Sequence, residues 1–129
     1  MKLRIVVADD NALFLHKIAS ILEVEFDVVA KVADGRAAVE AVCKYNPDIA
    51  VLDLEMPLLN GIDVARELTQ QQQSSRVLIC SVETDPEIVD AALQAGALGY
   101  VFKARLETDL LSAVKSVAEG QKYVSSDEN

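Results

Sequence analysis

The sequence predicts a doubly wound α/β sandwich, a parallel sheet with helices on both faces. Two observations carry this reading. Five short apolar runs alternate with five segments of helical spacing. Three of those runs are nearly continuous in Val, Ile, Leu and Ala, the pattern of strands buried on both faces. Right-handed crossovers then place the helices on both sides of the sheet. At 129 residues the chain is sized for one domain with a core of its own.

The elements follow in order. Residues 3–8, LRIVVA, form the first strand. After Asp10 and Asn11, the residues Phe14, Ile18, Ile21 and Leu22 make one apolar stripe, so a helix follows. The second strand, 28–32, keeps a polar Lys31 and reads as an edge. Gly35 opens a helix carrying Ala38, Val39 and Val42. Pro47 closes it, because the residue before a proline avoids the helical region. The third strand is 49–52, IAVL. The next helix starts near Gly61, carries Val64, Ala65 and Leu68, and ends in the polar connector QQQQSS at 70–75. The fourth strand is 77–80, VLIC. Its helix begins at Thr84-Asp85-Pro86-Glu87, capped either by Thr84 with Glu87 as box partner or by Asp85 with Pro86 at the first helical position. The fifth strand is 99–102, GYVF, followed by Leu110, Leu111, Val114 and Val117 on a last helix. The boundary is placed at 1–122 for the domain and 123–129 for a tail or the start of an interdomain linker, with 125–129 read as linker or frayed end.

Composition narrows the class. Hydrophobic residues make up 51% and charged residues 26%, so the chain is neither disordered nor a coiled coil. No apolar run reaches the length of a membrane span, and 1–4 lead straight into a strand without a signal-peptide pattern. The formal charge of −9 is the wrong sign for a phosphate-backbone binder, so direct nucleic-acid binding is not expected. Cys43 and Cys80 cannot build a disulfide framework. Both read as small buried hydrophobes in a reducing, cytoplasmic compartment. The one histidine, His16, has no partner at metal-ligand spacing and reads as a surface residue.

Polar residues collect where the strands end. The first strand runs into Asp9 and Asp10, the third into Asp53, the fourth into Ser81 and the fifth into Lys103. In an open parallel sheet, ligands bind beyond the carboxyl ends of the strands. Taken singly, Asp9, Asp10 or Asp53 is as readily a helix or turn cap, and Ser81 or Lys103 an ordinary surface group. Together, three carboxylates repel unless a cation neutralises them. Hard oxygen ligands suit Mg²⁺, which pairs with phosphate oxygens. An aspartate between a metal and an ammonium can attack a phosphoryl group.

The stretches Val7-Ala8-Asp9-Asp10-Asn11, 48–57 (DIAVLDLEMP), Asn60-Gly61, Ile79-Cys80-Ser81 and 95–103 (AGALGYVFK) resemble the response-regulator receiver domains of two-component signalling. The resemblance covers about residues 3 to 120. It implies a flavodoxin-like fold with five strands in the order 2-1-3-4-5. It also implies a signalling domain rather than an enzyme, catalysing only phosphoryl transfer onto itself and its slow loss. Asp53 looks like the phosphoacceptor. Asp10, Asp53 and the backbone carbonyl of Glu55 would ligate Mg²⁺, with Asp9 reaching it through water. Ser81 would be the switch hydroxyl, Tyr100 the switch aromatic, and Lys103 the partner of a phosphoryl oxygen. The implied donor is a sensor histidine kinase or a phosphotransfer protein, and Leu13 and Leu15 flank the first helix's stripe where a kinase helix would dock. The C-terminal third, from Gly99 through 118–125 (AEGQKYVS), is similar to the NarL/FixJ group. Those receivers precede a LuxR-type helix-turn-helix DNA-binding domain, which would be missing from this chain. A stand-alone receiver in a phosphorelay is the alternative. Homodimerisation is open, since receivers pair through different faces.

Phosphorylation adds roughly −1.5 to −2 charges. Moving an equilibrium from 1:99 to 99:1 takes about 5.5 kcal/mol, whereas one charged hydrogen bond supplies about 1.5–3 kcal/mol. Ser81 alone is therefore too weak, and Ser81, Lys103 and backbone donors are expected to act together. The expectation is that Ser81 moves toward the phosphoryl group and Tyr100 turns inward, changing the face formed by the fourth helix, fifth strand and fifth helix. Three departures from the family pattern stand out. Val82 replaces a small residue beside Ser81 and narrows access. Glu55 and Glu83 border the path of attacking water. Ala104 replaces a common proline, so a trans bond follows Lys103.

Other classes fit less well. A dehalogenase-type phosphatase carries its Asp-x-Asp after the first strand, not the third. A flavodoxin-like cofactor binder needs a phosphate-cradling loop where Asp9-Asp10-Asn11 would repel phosphate. A protein-binding module that works without phosphorylation would not need the full acidic pocket and Lys103.

Overall fold

The computed structural model describes residues 2–126. The chain runs β1 (Arg4–Ala8), α1 (Ala12–Glu23), β2 (Asp27–Val32), α2 (Gly35–Tyr45), β3 (Ile49–Asp53), α3 (Gly61–Gln70), β4 (Arg76–Ser81), α4 (Pro86–Gln94) and β5 (Gly99–Phe102). A single 3₁₀ turn, Lys103–Arg105, leads into α5 (Leu106–Ala118), and β6 (Tyr123–Val124) follows. The strands form one parallel sheet in the order β2-β1-β3-β4-β5-β6. The predicted alternation and order hold. β2 is the edge the sequence marked, with Lys31 exposed.

Side-chain alternation along the strands divides the core in two. On one face Ala50, Leu52, Ile79, Tyr100 and Phe102 pack against Val39, Val42, Val64, Leu68 and Val89 from α2, α3 and α4. On the other, Ile5, Val7, Val51, Leu78 and Val101 pack against Ile18, Leu22, Leu110 and Val114 from α1 and α5. Strands apolar on both faces are thereby buried on both faces.

Four helices start on side-chain caps. Asn11 Oδ1 accepts from the N–H groups of Leu13 and Phe14 at 3.0 and 3.1 Å. Asp34 caps α2, Asn60 caps α3, and Asp85 caps α4 with Pro86 at the first position. The alternative cap at Thr84 is not used. Because Asn11 caps α1, neither Asp9 nor Asp10 is spent on that task.

Three expectations are corrected. Among the described residues the sheet has six strands rather than five, because Tyr123–Val124 pair with the outer edge of β5. Two residues are too short to show a periodic signal. Ser125 is not frayed: it is 5% exposed, and its hydroxyl lies between the Phe102 amide (3.1 Å) and Asp109 Oδ2 (2.7 Å). Ser126 is exposed, and the rest of the tail reading, at 127–129, lies outside the described residues. Cys80 is buried as expected, but Cys43 is exposed, because it lies on the outer face of α2 beside Gln71 and Gln73.

Candidate functional site

The carboxyl ends of β1, β3, β4 and β5 meet at one edge of the sheet, as the parallel topology requires. Asp9 follows β1 and is fully buried. Its Oδ1 accepts the Asn11 N–H at 2.9 Å, a local turn that locks the carboxylate in place. Asp10 is exposed at the mouth. Asp53 ends β3 and is 7% exposed. The carboxylate oxygens of Asp9, Asp10 and Asp53 lie within 4.8 Å of one another.

Gly61 sets how closely α3 approaches this edge. A Cβ there would fall 2.4 Å from the Asp53 carbonyl oxygen, so only glycine lets the helix start here.

Lys103 enters from the 3₁₀ turn after β5. Its Nζ lies 2.8 Å from Asp9 Oδ2, a close ion pair without hydrogen-bond angles, and donates to Asp53 Oδ1 at 3.1 Å. The side chain is 5% exposed, and the Phe14 ring lies over the ammonium with its centroid 4.2 Å from Nζ. The Lys103–Ala104 bond is trans, as expected.

Electrostatics follow from this packing. Burial, and then the charge of Asp9, push the Asp53 carboxyl up to about 6 against the pull of Lys103. Burial opposes the Lys103 charge, but Asp9 and Asp53 outweigh it and raise its pKa. Three carboxylates against one ammonium leave the cluster short of positive charge. Hard oxygen donors on an open groove are the donor set of Mg²⁺, so the residues fit that ion.

A groove of about 210 Å³ opens on the cluster. Its walls include Asp10, Asp53 and Lys103 together with Phe14, Ser81 and Val82. Glu55 is exposed and also lines it, and Val82 stands at the rim, 68% exposed. Glu83 is placed differently. Its carboxylate turns back to accept from the N–H groups of Thr84 and Asp85, and it is not among the residues lining the groove.

Ser81 is buried, and its Oγ accepts the Glu83 N–H at 3.0 Å. Tyr100 is fully buried, and its hydroxyl donates to the Glu83 carbonyl at 2.8 Å. The Tyr100 ring thus points inward, tied to the loop that follows Ser81. The loop after β4 offers its hydroxyl a carbonyl, and the ring packs edge-on to Phe102 with centroids 6.0 Å apart. Leu13 is 83% exposed and Leu15 half-buried, while His16 is exposed.

Two features escaped the sequence reading. Phe14 was one member of an apolar stripe, with nothing to indicate that its ring faces an ammonium. Nothing in the sequence sets Asp109 apart from the other acidic residues of the last helix. It is buried and accepts from Ser125, Arg105 and Thr108.

Comparison with known proteins agrees with the geometry. The family described as response regulator receiver domain matches residues 5–115. The chain is 42% identical over 125 residues to the transcriptional regulatory protein DegU of Brevibacillus brevis, covering 95% of this chain and 53% of that one. It is 36% identical over 126 residues to a protein named as a probable transcriptional regulatory protein NarL from Mycobacterium tuberculosis, covering 96% and 58%. A two-component response regulator of the LuxR family from Aurantimonas sp. SI85-9A1 superposes with a TM-score of 0.93 at 29% identity, covering 98% of this chain and 92% of that one. The chain spans little more than half the length of the curated relatives it matches.

Proposed function

The chain belongs to the response regulator receiver domain family, and on that premise we propose that Asp53 is the residue that takes the phosphoryl group. As a receiver of the NarL and DegU type, the domain serves two-component signalling. The observation that carries the assignment to Asp53 is the convergence of Asp9, Asp10, Asp53 and Lys103 at the carboxyl ends of β1, β3 and β5. Asp53 is the member that both lines the groove and is held by Lys103.

Asp10, Asp53 and the Glu55 carbonyl would hold Mg²⁺, with Asp9 acting through water. The ion supplies positive charge for the oxygens of the transferred group. An Asp53 carboxylate oxygen attacks phosphorus, and the bond to the donor breaks with its electron pair leaving on the donor. Lys103 pairs with one phosphoryl oxygen and Ser81 donates its hydroxyl to another. Val82 at the rim and Glu55 beside it restrict the approach of water, which lengthens the life of the acyl phosphate. The partners this reading implies are a sensor kinase or phosphotransfer protein, approaching over Leu13 and Leu15, and a C-terminal DNA-binding half of the LuxR type.

Because Ser81 and Tyr100 both bond Glu83, the switch on this reading runs through the loop from Ser81 to Glu83. Recruitment of Ser81 by the phosphoryl group would shift the Glu83 backbone that holds Tyr100.

Intact mass after incubation with acetyl phosphate tests the proposal. One added phosphoryl group is expected with Mg²⁺, and none without Mg²⁺ or in Asp53→Asn. No addition, together with no binding of beryllofluoride, would put a phosphorylation-independent protein-binding module first.

A further inference from the structure

Phe14 has no part in the reading above, yet its ring lies against the one ammonium of the site. We propose that Phe14 is a positioning residue: the face of its ring holds the Lys103 ammonium in the groove, aimed at Asp53 and at the phosphoryl group Asp53 accepts. The proposal rests on the assignment of Asp53 just given and adds the residue that sets the reach of its cationic partner.

Four observations support it. The Lys103 Nζ is 4.2 Å from the ring centroid, well inside the distance of about 6 Å at which a ring face attracts a cation. The attraction acts where water is scarce, since the Lys103 side chain is 5% exposed, and desolvation strengthens it. Asp9 and Asp53 flank the same ammonium at 2.8 and 3.1 Å, and the ring covers a further side. Finally, the ring is mounted rigidly. The Phe14 N–H donates to Asn11 Oδ1 and the Asn11 N–H donates to Asp9 Oδ1, so one short segment fixes both the ring and the buried carboxylate.

Phe14 also differs from the rest of its stripe. Ile18 and Leu22 are fully buried and Ile21 is half-buried against the core, whereas the half-buried Phe14 also forms part of the groove wall with Asp53 and Ser81. A leucine would fill similar space but would present no negative ring face. The long flexible stem of Lys103 would then divide its time among Asp9, Asp53 and water.

The test replaces Phe14 with 4-fluoro-, 3,5-difluoro- and 3,4,5-trifluorophenylalanine, which drain charge from the ring face with little change of shape. The probe is beryllofluoride with Mg²⁺, titrated by calorimetry, with Tm recorded for each variant. Affinity is expected to fall stepwise, by about tenfold across the series. Phe14→Leu should lose a similar factor and Phe14→Tyr should stay within about twofold of the parent. A second readout needs no ligand: the Lys103 Cε protons should show a ring-current shift that disappears in Phe14→Leu. A flat fluorine series while the parent chain binds, or the absence of that ring-current shift, overturns the proposal alone. Failure of the parent chain to bind beryllofluoride overturns the Asp53 reading and this proposal with it.

Discussion

At Asp53, burial and the neighbouring Asp9 charge favour the protonated form, with a pKa of about 6 against an ordinary value of 3.8. The sign of the consequence follows from linkage. Between those two values the folded chain keeps a proton that the unfolded chain has released, so stability declines as pH rises through about 6. Metal-free protein should therefore lose Tm between pH 5 and pH 7.5 more steeply than Asp53→Asn, in which the group is gone. Parallel Tm profiles for the two proteins would contradict this account. The same residue explains why the site needs cations. Lys103 alone opposes three carboxylates, and its own raised pKa keeps it charged through the working range despite burial.

Among the elements, α3 and β6 carry the clearest consequences. α3 begins where Gly61 meets the Asp53 carbonyl, so Gly61→Ala must push the helix or the strand end away. The expected cost is about 1–3 kcal/mol in urea denaturation, with slower phosphorylation because Asp53 is displaced. An alanine variant as stable and as reactive as the parent would mean that α3 does not position the site. β6 is held by a side chain rather than by length. Ser125 donates to Asp109 and accepts from the Phe102 amide, next to Lys103 in sequence. Burial opposes the Asp109 charge, but donors from Ser125, Arg105 and Thr108 outweigh it and keep its carboxyl below the usual range. Ser125→Ala leaves a buried amide and a buried carboxylate each short of a partner and should cost about 1–3 kcal/mol. Faster hydrogen exchange at the Ser125 amide, which donates to the Tyr100 carbonyl, should accompany it. Unchanged exchange there would show that the hydroxyl is not what holds the strand.

For the molecule as a whole, the acidic edge is a place where folding and ligand binding are coupled. A cation that binds only the folded chain stabilises it by mass action, about 2.7 kcal/mol at one hundred times its dissociation constant. Mg²⁺ should therefore raise Tm at pH 7.5, and Asp10→Asn should weaken that response at equal ionic strength. A Tm insensitive to Mg²⁺ would remove the metal from the reading. On the proposed reading, coupling between the site and the α4–β5 face would run through the segment 81–83, where Ser81 and Tyr100 both bond Glu83. Ser81→Ala should still take up the phosphoryl group while losing most of the chemical-shift change at Tyr100 and on α4. Full transmission in that variant would place the coupling elsewhere.

What the sequence determined by itself is what local pattern and strand ends can carry. Continuous apolar runs such as 49–52 identify strands buried on both faces, and the spacing of Ile18, Ile21 and Leu22 identifies a helix. In a parallel sheet every strand delivers its next residue to the same edge. Asp9, Asp53, Ser81 and Lys103 could therefore be placed together before any coordinates, and the structure places them there. Tertiary structure alone decided the rest, for one physical reason: contacts between residues far apart in the chain leave no periodic trace. Tyr123 and Val124 suit a strand but are too few to signal one, and β6 forms because β5 offers an open edge and Asp109 a buried acceptor. Cys43 is exposed because α2 turns that face outward. Tyr100 is inward because the Glu83 carbonyl meets its hydroxyl. The ring of Phe14 faces Lys103, 89 positions away by number, only because α1 and the turn after β5 meet at the groove.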